Sequence, residues 1–309
     1  MNREANKDTV SRFSNRVEYY IKYRPKYPPE IIDFLKAELS LSELSVIADI
    51  GSGTGFLSEL FLKNGNRVFG VEPGTEMREA AEKLLDGYPN FTSIEGRAEA
   101  TGLESSSADF VAAGQAFHWF DVEGARKEFQ RILKPSGWAL LIWNDRKPDG
   151  TPFLKAYEAM LRNLETDYEQ VNNKNVDDTV LSSFFGGEYR LKVFANSQDF
   201  DFEGLRGRLL SSSYTPMEGH PDHASMIEEL RRVFDAYNIE GKVTIEYNTK
   251  LYYGRFGQQP LTAKFDRMRI GRARMPALPA STVLITLIFE HMKSAVIRNR
   301  HYRQSIIQQ

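Results

Sequence analysis

The 309 residues include no cysteine. That excludes disulfides, thiolate nucleophiles and cysteine-ligated zinc, and it leaves the compartment open. Long apolar runs are missing as well. The best stretch, Ala280 to Phe289, falls short of the ~18 residues that a membrane-spanning helix needs. The opening MNREANKDTV is polar and has no signal-peptide core, so a cytoplasmic location without a membrane span is expected. Net charge is also small, −2, but unevenly spread. Residues 256–309 carry nine Lys/Arg against two Asp/Glu, a surplus of +7, which leaves −9 for the rest. An acidic body does not suit a nucleic-acid partner.

What is present is concentrated in VIADIGSGTGFLSELFLKNGNRVFGVEP, residues 46–73. Val46, Ile47, Ala48 and Ile50 make an apolar run suited to a strand covered on both faces. Gly51, Gly53 and Gly55 follow, where a tight turn lets a ligand approach the backbone. A helix pattern begins near Thr54, and its first N–H groups face the turn. Val68 to Val71 make the next strand, and Glu72 stands at its carboxyl end, 21 positions after Gly51. An open α/β sheet puts the acceptor for a ribose diol there. The unit describes a nucleoside-cofactor crevice.

Its details select among cofactors. A dinucleotide fingerprint wants glycine at the sixth position, where Phe56 stands. Asp49 just ahead of the turn would repel a pyrophosphate and attract a cation. No Gly-Lys-Ser/Thr follows, so a P-loop fits worse. A nucleoside with a positive end and no phosphates is favoured. An NAD-dependent oxidoreductase and a non-catalytic nucleoside-binding regulator remain as alternatives.

Asp49-Ile50-Gly51-Ser52-Gly53-Thr54-Gly55 resembles the glycine-rich motif of class I S-adenosylmethionine-dependent methyltransferases. Glu72-Pro73 is similar to their acidic second motif, with Met77 at a matching spacing. Gly96-Arg97-Ala98-Glu99 resembles the segment that lines the adenine. Gln115-Ala116-Phe117-His118-Trp119-Phe120 resembles the fourth-strand motif of the methyltransferase type 11 group, and Arg131 to Trp138 the passage before the fifth strand. Ser136 departs from a usual glycine. The resemblance spans roughly residues 10–255. It implies S-adenosyl-L-methionine as cofactor, with Asp49, Gly51, Ser52, Gly53 and Gly55 at its amino-acid portion. It further implies Glu72 on the ribose, Met77, Ala98 and Glu99 at the ribose and adenine, and Gln115 at the fourth strand end. Truncating Glu72 is expected to weaken cofactor binding far more than it disturbs the fold.

Along the chain, strands alternate with helices. Helix Met77–Leu85, strand Phe91–Ile94, strand 109–114, helix Val122–Leu133, a turn Lys134–Gly137 and strand Trp138–Trp143 are expected in order. The pattern indicates a doubly wound, mostly parallel α/β sheet, seven-stranded if the strands at 189–197 and 242–256 complete it. Helices at 202–213 and 222–236 lie between those two. In the resembled family the last two strands pair antiparallel. Residues 1–40 read as an arm and first helix, 41–256 as the cofactor-binding domain, and 257–309 as a basic extension with a helix from Ser281 to Arg298. Residues 150–187 read as a helical insertion over the strand ends. Leu284 to Phe289 could cover the body or join a homodimer.

The methyl donor of such enzymes carries its own activation. The protein must align nucleophile, methyl and sulfur and exclude water. A base is needed only if the acceptor must lose a proton. His118, after a parallel strand, is the candidate for that base; lining the pocket or packing are its alternatives. Tyr20 and Arg24 lie in Tyr-x-x-x-Arg-Pro-x-Tyr-Pro, an arm that in relatives caps cofactor or substrate. With Trp119, Arg206 and Arg208 they are the candidate acceptor-binding residues, the arginines because guanidinium matches carboxylate. Asn/Asp-Pro-Pro-Tyr/Phe/Trp, which marks methylation of DNA bases or protein amides, is missing. A small organic acceptor methylated on oxygen or carbon is expected, one that carries a carboxylate. His220 and His223 lack a convincing third ligand, so no metal is expected.

Overall fold

The structure, a computed structural model, describes residues 16–164 and 176–256. The chain divides into two units, Met1–Gln258 and Gln259–Gln309. The expected helix Ser281–Arg298 and the apolar stretch Leu284–Phe289 lie outside the described residues.

Seven strands form one sheet in the order β3-β2-β1-β4-β5-β7-β6. They are β1 (Val46–Ile50), β2 (Arg67–Val71), β3 (Phe91–Ile94), β4 (Ala108–Gly114), β5 (Leu133–Arg146), β6 (Arg190–Phe200) and β7 (Val243–Gly254). The first five run parallel. β7 runs antiparallel to both β5 and β6. Parallel strands covered on both faces need apolar side chains on both, and these alternate. Ile47, Phe110, Ala112, Leu140 and Ile142 face one layer; Ala48, Ile50, Val111, Ala113, Leu141 and Trp143 face the other.

The first layer is closed by α2 (Glu30–Leu39) and α3 (Phe56–Lys63), which bury Ile31, Leu35, Leu57 and Phe61. The second is closed by α5 (Val122–Ile132) and α7 (Asp178–Phe185), through Phe129, Leu181, Phe184 and Phe185. α4 (Thr75–Leu84) follows β2. A third cluster joins α6 (Pro152–Asn163), α8 (Phe202–Leu210) and α9 (His223–Tyr237) to Val243, Ile245 and Tyr247 of β7. Side-chain caps fix several helix starts: Asp121 accepts from Gly124 N–H, Thr151 from Leu154 N–H and Asp201 from Gly204 N–H.

Three local expectations change. Lys134–Gly137 is not a separate turn. β5 starts at Leu133, directly after α5, and between the pairings Ala108↔Leu133 and Phe110↔Trp138 the single β4 residue Asp109 stands against the four β5 residues Lys134–Gly137. The glycine loop is longer than the pattern suggested, since α3 begins at Phe56 behind Gly55 at φ +86°. The 150–187 segment has two destinations. α6 joins the third cluster, whereas α7 packs into the sheet's second layer because its apolar face is too large to leave open. Residues 165–175 of that segment are outside the described ones.

The arm is α1 (Val17–Tyr23), laid along α8. A Cβ at Gly207 would overlap the Tyr23 ring, so glycine there sets how closely the two helices approach. Arg16 ties the arm down by donating to Leu210 O (3.2 Å), Thr215 Oγ1 (2.8 Å), Thr215 O (2.7 Å) and Ser212 O. Gln198 Nε2 donates to Tyr23 O and Asn144 Nδ2 to Pro25 O.

Candidate active site

Three adjoining hollows lie beyond the carboxyl ends of the parallel strands, where ligands bind in open α/β sheets. All three share Tyr20 and Gln115. Gln115 itself sits at φ +57°, a backbone conformation that non-glycine residues hold only under local constraint. Its N–H donates to Ile142 O at 2.9 Å.

The first hollow is a cleft of about 130 Å³ between the loops after β1, β2, β3 and β4. Gly51, Gly53, Glu72, Met77, Ala98, Glu99 and Trp119 line it. Gly51 stands at φ +68°, and a Cβ there would lie 2.6 Å from the Ala116 Cβ, so both backbone and space demand glycine. Glu72 holds the loop in place: Oε2 accepts from Gly53 N–H (2.9 Å) and Oε1 from Gly74 N–H (2.8 Å). Its pKa is raised by burial. This changes the expectation for Glu72, because truncating it removes a brace of the glycine loop as well as a ligand contact. Glu99 accepts from Asp121 N–H at 2.9 Å.

The second hollow is a recess under the arm. Tyr20, Arg24, Asp49, Ser52, Gly53 and Thr54 are among its walls. Asp49 is fully buried; Oδ2 accepts from Ser58 Oγ at 2.7 Å, and Oδ1 has no hydrogen-bond partner. Burial raises its pKa to about 7 against the pull of the Ser58 bonds. Gly55 lines none of the three hollows and packs against Leu85 beneath the loop.

The third is a cavity of about 580 Å³, walled by Tyr20, Arg24, His118, Trp119, the β5 end with the loop after it (Asn144–Gly150), Glu158, Arg208, Tyr214, Tyr247 and Lys250. Some of its charges are paired. Arg146 Nη2 lies 2.8 Å from Glu158 Oε2, and Lys250 Nζ 2.7 Å from Asp145 Oδ2. Arg208 differs. It is 5% exposed and bonds only hydroxyls, Tyr247 Oη at 3.2 Å and Ser212 Oγ at 3.2 Å the nearest. No carboxylate lies within ion-pairing distance of it among the described residues. Burial and the Arg24 charge push the His118 pKa down to about 4, so the ring is neutral at pH 7. Burial alone would raise the Tyr214 pKa; Arg146 and Arg208 outweigh it and lower the value.

Of the expected acceptor residues, Tyr20, Arg24, His118, Trp119 and Arg208 meet at this cavity; Arg206 does not. It pairs with Glu203 at 3.1 Å on the outer side of α8. Residues two apart on a helix point in different directions, so Arg206 and Arg208 could not both face inward. Of the arm tyrosines Tyr19, Tyr20, Tyr23 and Tyr27, Tyr20 reaches all three hollows and Tyr27 also lines the recess under the arm. Tyr19 and Tyr23 pack on the third cluster and Tyr27 on the first layer. The His220 ring lies against Asp222, and the His223 Nδ1 is 3.0 Å from Pro216 O.

The sequence profile described as Methyltransferase domain matches residues 48–141, the span from β1 to β5. An uncharacterized methyltransferase of Schizosaccharomyces pombe is 30% identical over 234 residues, 74% of this chain and 90% of that protein. The chain belongs to the class I S-adenosylmethionine-dependent methyltransferases. An uncharacterized methyltransferase of Mycobacterium tuberculosis is 35% identical over 142 residues, 46% of this chain and 56% of that one. In fold, a structure described as a type II methyltransferase from Anaeromyxobacter dehalogenans matches with a TM-score of 0.56 at 20% identity, covering 76% of this chain and 98% of that one. The cofactor of this methyltransferase is S-adenosyl-L-methionine, and the chain is an enzyme. Among the described residues no helix is long and apolar enough to cross a membrane.

Sequence reasoning passed over Asn144 to Gly150, Glu158, Tyr214, Tyr247 and Lys250. The first group carried a readable signal, a polar run directly after a buried parallel strand. Tyr247 and Lys250 carried none, because the pairings Arg146↔Tyr247 and Trp143↔Lys250 decide where they stand.

Proposed function

We propose that this methyltransferase transfers a methyl group to a carboxylate oxygen of a small organic acid held in the 580 Å³ cavity. Arg208 carries the proposal. A buried guanidinium that meets only hydroxyls is costly to keep, and an anionic ligand would supply its missing partner. The volume suits a small molecule, and Tyr20 and Arg24 of the arm form part of its wall.

The cofactor's residues fit the same scheme. Asp49 has a free buried oxygen for a cationic head. Gly51 to Gly53 offer close backbone approach, and each Glu72 oxygen keeps a further lone pair for a ribose hydroxyl. Met77 and Ala98 give apolar walls for the adenine, with Glu99 beside them. When bound, the cofactor supplies an activated methyl on a sulfonium.

The protein's own work is positioning. Arg208 would orient the acid, and Tyr20, Gln115 and Trp119, at the junction of cleft and cavity, would set the approach to the methyl. A carboxylate is already deprotonated at neutral pH and carries no proton to remove. The acceptor oxygen forms the new bond as the methyl–sulfur bond breaks, and no base is required. His118, neutral with a pKa of about 4, then lines the wall instead of taking a proton.

The test is a screen of small organic acids with isotopically labelled S-adenosyl-L-methionine, followed by mild alkali. Label released as methanol marks a carboxyl ester. Alkali-stable label, or label found only in protein or nucleic acid, would overturn the proposal.

A further inference from the structure

The recess under the arm holds a buried acid and a half-buried guanidinium that do not pair with each other. Asp49 offers Oδ1 with no hydrogen-bond partner. Arg24 gives its Nε and Nη2 to one carbonyl, Ser211 O, at 3.3 and 2.8 Å, and meets no carboxylate within ion-pairing distance among the described residues. Thr54 Oγ1, also in that wall, is buried without a partner. A buried acid and a half-buried guanidinium left apart in one recess are costly unless a ligand with both charges fits between them.

We infer that Arg24 is a cofactor residue: it receives the α-carboxylate of the donor's amino-acid portion while Asp49 receives the ammonium. The established cofactor has such a zwitterionic head. Arg208 lines the acceptor cavity alone, whereas Arg24 lines both the cavity and the recess. The two arginines therefore divide the anions, one from each substrate. Arg24 is well fixed for this. Its backbone N–H caps α1 through Tyr20 O at 3.1 Å, Pro25 stiffens the next step, and its guanidinium lies over the Tyr20 ring. It also lies outside the 48–141 segment that the family profile covers, so the arm completes a site that the matched segment leaves open on one side.

The experiment is a calorimetric cycle with two ligands, S-adenosyl-L-homocysteine and its decarboxylated analogue, on the wild-type protein and Arg24→Gln. Removing the carboxylate should weaken binding to the wild type about tenfold or more. Arg24→Gln should lose a similar factor for the intact ligand and bind the analogue nearly as the wild type does. Equal penalties for decarboxylation in both proteins would overturn the inference. So would a wild type indifferent to the carboxylate, a result that needs no variant to fold. Arg208→Met should show the wild-type ratio between the two ligands, and a lost ratio there would move the carboxylate to Arg208. Failure of the carboxylate-acceptor proposal would leave this cycle unchanged.

Discussion

Cofactor affinity should fall in mild acid, and Asp49 sets the size of the effect. Its carboxyl is held at about 7 in the free protein by burial, against 3.8 in an exposed aspartate. The sign follows from which form binds. An ammonium needs the ionised carboxylate, so the ligand competes with a proton for Asp49. For a free-protein pKa of about 7, ionised Asp49 is about 3% of the population at pH 5.5 and about 76% at pH 7.5. The affinity for S-adenosyl-L-homocysteine should therefore weaken about 25-fold between those values, or ~1.9 kcal/mol.

Two assays check this. Calorimetry across pH 5.5–7.5 reads the affinity, and titrations in buffers of different ionisation enthalpy read protons released. At pH 6 release should approach about 0.9 proton per ligand, because most free molecules hold a proton on Asp49 that the complex expels. Asp49→Asn should bind weakly with a flat profile. A wild-type affinity that moves less than about threefold over the window, or an Asp49→Asn protein that keeps the slope, would refute the reasoning. The stability of the free protein should run the other way. A carboxyl raised in the fold favours its protonated form, so Asp49 contributes a loss of stability as pH climbs from about 4 to about 7.

Glu72→Ala should cost about 2–5 kcal/mol of cofactor affinity and also lower the unfolding midpoint, because Gly53 and Gly74 lose their acceptor; Glu72→Gln should recover most of the midpoint. Gly207→Ala should push the arm off α8, destabilise the fold by about 1–3 kcal/mol in denaturant unfolding, and weaken both ligands. Arg208→Met should raise the acceptor KM by about 30-fold or more and leave the affinity for S-adenosyl-L-homocysteine unchanged, read by steady-state kinetics beside calorimetry.

The cofactor side was legible in the sequence because it is local. Asp49, the glycine loop and Glu72 belong to one strand-turn-helix-strand unit, and parallel pairing such as Ile50↔Val71 brings its two loops together. Period and spacing carry that much. The acceptor side was not legible because it is assembled from remote pieces. Arg208 and Arg206 look equivalent in GLRGRLL until the helix is docked, and its docking is fixed by Tyr23 against Gly207, 184 residues away in the chain. Tyr247 and Lys250 enter the cavity only through an antiparallel register with β5, and a shift of one residue would turn them to the opposite face.

Glu72 shows the converse limit. Its position at the strand end was readable, but its bonds to Gly53 and Gly74 were not, so a residue expected to act on a ligand proves also to hold the loop that receives the ligand. The same holds for Arg24. Its motif marks it as a cap, and only the recess it shares with Asp49 separates a cofactor role from an acceptor role. Where a site is built from one contiguous unit, residue type and spacing suffice to name its members. Where it is closed by an arm and an antiparallel edge, charge pairing in the folded state assigns the roles, and Arg24 and Arg208, cavity arginines with no carboxylate in ion-pairing distance among the described residues, are the groups that mutation should separate.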